Sequence, residues 1–162
     1  MISPAGTHLV FSGSPVDDQK VQLYVRDLTA PDAMPLAGTE DAQYPFWSPD
    51  GRWVAYYARD KGLMKVKLDG SPPQLICQAS NGKGGSWNQF GQILFTASYN
   101  TSIQVVDAAG GEPREVTSLA ADQGFNSHRH PQFLPDGEHF IYLACGTGGE
   151  HPAISCFSMD SL

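Results

Sequence analysis

His128, Arg129 and His130 stand in one run of this 162-residue chain, and their types and spacing could do chemistry. A guanidinium grips a carboxylate or phosphate through two parallel N–H bonds. Histidines two apart share a face of a strand, which is how two imidazoles would be offered to a metal. A zinc site needs three or four ligands, and no third stands nearby, so no metal and no cofactor are assigned. The competing role for these histidines is structural, holding a turn by hydrogen bonds within and between neighbouring sheets. The other chemistries fail on spacing. Gly82-Lys83-Gly84-Gly85 is glycine-rich but lacks G-x-x-x-x-G-K-[ST] and lies between strands, so it reads as a flexible link. There is no G-x-S-x-G elbow, no Ser/His/Asp trio, and no H-R-D or D-F-G, since His128-Arg129-His130 carries the wrong third residue. No catalytic residue is assigned, and the chain is not read as an enzyme.

The elements that would position this run follow from a recurring turn. It reads Ser3-Pro4-Ala5-Gly6, Ser48-Pro49-Asp50-Gly51, Asn88-Gln89-Phe90-Gly91 and Leu134-Pro135-Asp136-Gly137, at intervals of 45, 40 and 46 residues. That period is the spacing of four-stranded β-propeller blades. Proline presets φ at the first corner, aspartate accepts nearby backbone N–H bonds, and glycine takes the left-handed conformation that closes the turn. Blade three keeps only Gly91, which marks the left-handed position as the one the turn cannot give up. Trp47, Trp87 and Phe133 precede three of the turns at equivalent places. Repetition reads them as packing between blades rather than as sugar-stacking platforms. It likewise reads Pro49, Asp50, Gly51, Pro135, Asp136 and Gly137 as turn chemistry rather than acid–base machinery.

Short apolar runs bounded by glycine and proline follow each turn and read as strands: His8–Phe11, Trp53–Tyr57, Ile93–Phe95 and Phe140–Leu143. A further strand comes next in each repeat, at Gln22–Val25, Met64–Leu68, Ile103–Val106 and Ile154–Phe157. Lys65 and Lys67 alternate with apolar neighbours there, as on a sheet with one wet face. The fold class is therefore all-β: a partial propeller of about four blades, approximately 1–42, 43–82, 83–128 and 129–162, with three, four, four and three strands. In that frame the segment Asp122–His130 connects into the inner strand of blade four. Asn126, His128, Arg129 and His130 then become candidate binding residues at one mouth of the central channel.

Seventeen glycines and twelve prolines suit a turn-rich all-β chain. The net charge of −7 argues against nucleic acid as a partner. No apolar stretch approaches the roughly 20 residues that span a bilayer, so this segment does not insert. Met1-Ile2-Ser3-Pro4 enters a repeat directly and does not read as a secretory leader. Cys77, Cys145 and Cys156 read as buried small hydrophobes, with a Cys145–Cys156 bridge across a hairpin as the alternative. Asn100-Thr101-Ser102 matches a glycosylation sequon and marks a surface turn. An arc of blades leaves open edges, so self-association is expected, alongside a protein or small ligand at the channel mouth.

The motif F-W-S-P-D-G-R-x-x-A-Y at Phe46–Tyr56 resembles the Pro-Asp repeats of TolB-like, WD-repeat-like β-propellers. A longer ordered set resembles the propeller region C-terminal to many bacterial serine/threonine protein kinases: Pro73–Cys77, Asn81–Asn88, Ile93–Phe95, Ala109–Pro113, Ser127–Arg129 and Pro131–Gly137. It covers about residues 40–160; residues 1–40 match only the generic repeat. The resemblance implies a sensory or interaction module on the extracytoplasmic side of a membrane-anchored protein. Two alternatives remain: the gating propeller of a prolyl-oligopeptidase-type serine peptidase, and a stand-alone TolB-like periplasmic protein.

Overall fold

The computed structural model describes residues 1–15, 20–119, 124–146 and 153–159. These form fourteen strands in four antiparallel sheets, each a simple up-and-down meander. The first sheet holds β1 (His8–Gly13), β2 (Gln22–Asp27) and β3 (Met34–Pro35), and the second holds β4 (Ala42–Trp47), β5 (Trp53–Ala58), β6 (Gly62–Lys67) and β7 (Gln74–Cys77). The third holds β8 (Gly85–Trp87), β9 (Gln92–Thr96), β10 (Ile103–Asp107) and β11 (Arg114–Glu115), and the fourth holds β12 (Phe125–Phe133), β13 (His139–Gly146) and β14 (Ala153–Ser158). In the first sheet the inner-strand place is taken by Ile2, which makes a single antiparallel bridge to Leu9. This is a β-propeller arc.

All four turn glycines have positive φ: Gly6 71°, Gly51 69°, Gly91 81° and Gly137 74°. Each donates its N–H to the carbonyl of the turn's first residue, Ser3, Ser48, Asn88 or Leu134. The aspartates serve the same corners. Asp50 takes the Ser48 hydroxyl and the Arg52 N–H, and Asp136 takes the Glu138 and His139 N–H groups. Those bonds hold both carboxyls well below the ordinary range, at about 2. Blade three manages without aspartate because Asn88 Oδ1 accepts from Phe90 and Gln92 at 3.1 and 2.8 Å. Its Nδ2 donates to Gly137 O at 2.9 Å and ties one turn to the next.

Three apolar layers lie between successive sheets. Val10, Leu23, Trp47, Val54 and Tyr56 fill the first, and Phe46, Tyr57, Ile76, Ile93 and Phe95 the second. Leu94, Ile103, Val116, Phe133 and Phe140 fill the third. Neighbours in sequence thus serve opposite layers, since successive side chains on a strand face opposite ways. Trp47 also donates Nε1–H to Met1 O at 3.1 Å. The alternation at Lys65 and Lys67 marks a face that is only partly wet. Their stems run beside Trp53, with ammoniums 4.9 and 5.0 Å from its ring, and Lys65 Nζ caps Ala108 O of the third sheet at 2.6 Å. A long aliphatic stem can cover apolar surface while its charged head reaches a polar partner, so Lys65 is packed between sheets, while the Lys67 side chain keeps 41% of its surface exposed.

The cysteines are free. Ladder pairing puts Cys156 opposite Ile141 and leaves Cys145 beyond the Ala144–Ala153 pair, so the two sulfurs are offset along the hairpin and cannot bridge. Cys77 is buried, which pushes its thiol up to about 11; Cys156 is exposed, not buried.

A candidate binding concavity on the inner strands

The inner strands β4, β8 and β12 face the axis of the arc, and each carries a left-handed residue, within it or at its entry, at the same repeat position. Four residues before the turn's first residue stand Tyr44, Gly84 and His130, with φ of 51°, 81° and 49°. Pro45 and Pro131 follow two of them. Proline has no N–H to give a ladder, so pairing must break there. The registers of β4–β5 and β12–β13 do shift, between Gln43 and Phe46 and between Arg129 and Gln132. A bulge of this kind re-aims side chains.

Here it brings three separate segments together. The rings of Tyr44 and His130, two blades apart, meet at 6.0 Å between centroids. Gly84 of the intervening blade permits this, since a Cβ there would lie 2.8 Å from His130 Nδ1 and 3.1 Å from its Cα. Lys83 Nζ reaches over the Tyr44 ring at 5.1 Å and donates to Tyr44 Oη at 3.3 Å and Asn81 Oδ1 at 3.4 Å. A cavity of about 160 Å³ opens beside them, walled by Tyr44, Phe46, Gly84, His130 and Gln132. Larger hollows lie on the turn side around Trp53, where Lys65 and Lys67 already cover the ring.

The link feeding β8 is not flexible. Lys83 N–H donates to Thr96 Oγ1 at 2.7 Å, Lys83 O accepts the His130 N–H at 2.8 Å, and Gly84 O accepts the Tyr57 hydroxyl at 2.9 Å. Glycine at 82 is required by close approach: a Cβ would overlap the Tyr57 ring and Thr96 O. Conformational freedom was the wrong reason for a glycine-rich stretch; the neighbours of the backbone supply the right one.

The four sequence-derived candidates separate. The segment read as a connection is strand from Phe125 onward, and Asp122 and Gln123 lie outside the described residues. His128 is 3% exposed, its Nδ1 is 2.8 Å from the Thr117 hydroxyl, and its ring packs on Tyr142 at 4.5 Å. It joins the third and fourth sheets. His130 instead meets Tyr44, because the bulge breaks the alternation that would have put both rings on one face. Among the described residues no three metal-ligating side chains converge. Arg129 donates Nε–H to Ser127 Oγ at 3.0 Å and reaches Tyr99 O at 3.4 Å. Asn126 is half-buried in β12. Of the four, only His130 lies in the concavity. Tyr44 and Lys83 were missed, although counting four residues back from Ser48, as from Leu134, lands on Tyr44 and His130 alike.

Burial holds His128 below the usual histidine range, and crowding by protein atoms followed by the Arg129 and Lys83 charges does the same for His130. An unfolded histidine therefore takes its proton first as pH falls through 6.5, and folding stability drops from there until the folded forms protonate. Asp50 and Asp136 act in a lower window: their contribution is present above the unfolded value of 3.8 and is lost as pH falls towards about 2. Urea denaturation from pH 8 to 3 should show two separate declines, and His128→Asn should flatten the upper one. A single decline below pH 4 would remove the histidine contribution.

No family model matches the chain. An uncharacterized protein of Agrobacterium fabrum is 26% identical over 162 residues, covering 87% of this chain and 52% of that protein. A TolB-type protein from Agrobacterium tumefaciens superimposes with a TM-score of 0.81 at 16% identity, over 98% of this chain and 60% of that one. The β-propeller domain of the Trilobed protease from Pyrococcus furiosus, described as having an open velcro topology, gives 0.66 at 13% identity, over 98% and 54%. The chain thus spans little more than half the length of these relatives. At such identities the likeness carries the fold: this chain has the fold of TolB-like β-propellers.

Proposed function

We propose that the chain is a non-catalytic binding module, the sensory or interaction part of a bacterial serine/threonine protein kinase, and that it engages its ligand on the axial face of the inner strands. The observation that carries the binding reading is the meeting of Tyr44 and His130, two blades apart, at one concavity, with Lys83 of the intervening blade bonded to Tyr44. Bulky residues at left-handed φ cost roughly 1–3 kcal/mol each and tend to persist where a site uses them. A glycine stands at the matching position of blade three, so the conformation does not itself call for a ring. The kinase attachment rests on the ordered motifs between Pro73 and Gly137. A protease propeller among the similar structures supports the second reading, a gating domain for a hydrolase elsewhere in the protein.

Two experiments test this. Reading the coding frame on both sides should find a kinase domain and a membrane helix upstream; a downstream α/β-hydrolase with G-x-S-x-G would support the peptidase reading instead. In a thermal-shift screen, ligands that raise the Tm of the parent should lose that effect in the double variant Tyr44→Gly/His130→Gly. Relief of backbone strain offsets lost ring contacts, so its own stability should stay within about 1 kcal/mol of the parent. Undiminished ligand shifts in that variant would place binding elsewhere.

A further inference from the structure

We propose that the Tyr44–Lys83–His130 concavity is an anion site that takes one carboxylate or phosphate group of a small molecule, with Lys83 Nζ supplying the charge and the Tyr44 hydroxyl and His130 ring orienting it. This rests on the binding reading of the axial face and specifies its chemistry.

Charge comes first. The chain carries a net −7, yet the ionic neighbours acting on His130 are Lys83 and Arg129, both cations. Tyr44 faces the same ring from β4. The ion pairs among the described residues are Arg52–Asp50, Lys67–Asp69 and His139–Asp136, so neither Lys83 nor Arg129 meets a carboxylate there. The charges acting on the His130 ring are thus both positive, in a concavity where protein walls screen less than water does.

Hydrogen bonding points the same way. The ammonium of Lys83 has three protons. Its two partners, Tyr44 Oη and Asn81 Oδ1, are neutral and at 3.3 and 3.4 Å, near the outer limit of a hydrogen bond. One proton remains for a ligand. Because Tyr44 Oη accepts from Lys83, its own proton is available to donate outward. The His130 main-chain N–H is used by Lys83 O, while its ring meets Tyr44 at a tilt of 60°. Tyr44 and His130 line a cavity of about 160 Å³, and Lys83 Nζ stands at its edge, 3.3 Å from Tyr44 Oη; together they suit a single compact acceptor group.

The test follows His130 by NMR in protein labelled at histidine, titrated with inorganic phosphate and separately with succinate against chloride at constant ionic strength. The expected result is a saturable rise in the His130 ring pKa, with affinity tightening as pH falls from 7.5 to 5.5; each unit of rise corresponds to about tenfold tighter binding by the protonated ring. Lys83→Met should abolish the response with only a small change in the melting curve, because the short bonds at this position, 2.7 and 2.8 Å, are main-chain ones and the side-chain bonds to Tyr44 and Asn81 are long. Tyr44→Phe, which keeps the ring, should weaken binding about tenfold. A response to phosphate alone identifies a phosphate ligand, and one to succinate alone a carboxylate ligand. A non-saturating shift, or one unchanged in Lys83→Met and Tyr44→Phe, overturns the proposal. If neutral ligands from the screen still lose their effect in Tyr44→Gly/His130→Gly, the axial binding reading survives that failure.

Discussion

Gly82→Ala is expected to lower unfolding free energy by about 3 kcal/mol or more, the upper end of overpacking penalties. The added Cβ meets the Tyr57 ring and Thr96 O, and neither can retreat cheaply. Tyr57 is 5% exposed, and its hydroxyl is bound between Gly84 O and the Thr96 N–H at 2.9 and 3.2 Å. Moving the ring would break both bonds and loosen the segment that carries Lys83. Gly6→Ala is the internal comparison: it has open space around its Cβ and a φ of 71°, so it should cost only the left-handed penalty of about 1 kcal/mol. Urea denaturation of the two variants checks the difference. Equal losses would mean that conformation, not contact, dictates Gly82.

Phe95→Ala is expected to cost about 3–5 kcal/mol. Phe95 is fully buried between the second and third sheets and pairs with Gly85 on β8. Deleting its ring leaves a void behind the strand that Lys83 and Gly84 lead into, and the tightly packed surroundings relax only partly. Beyond the loss of stability, amide exchange should quicken selectively at Gly84 and Gly85. Leu94→Ala, on the opposite face of the same strand and in the third apolar layer, should destabilise by about 2–5 kcal/mol without that local signature. If both variants open the same amides, the layers are not separate packing units.

The amino-acid sequence by itself determined the blade architecture. The turns at Ser48–Gly51 and Leu134–Gly137 are closed by groups within six residues of one another, so their chemistry is local and repeats visibly. The strand runs were legible for the same reason, since alternation and bounding glycines act over a few residues. Tertiary structure alone decided which side chains meet. The repeat puts Tyr44 and His130 at matching positions but does not say that they touch, because their contact depends on how three blades rotate about the axis and on the missing side chain at Gly84. His128 and His130 look alike in sequence, yet a bulge sends one to Thr117 and the other to the axial face. Lys65 reads as solvated from its alternation, yet the neighbouring blade takes its ammonium at Ala108 O. Local hydrogen-bond geometry is written in neighbouring residues; contacts between blades depend on the packing of the whole arc, which no short window of sequence contains.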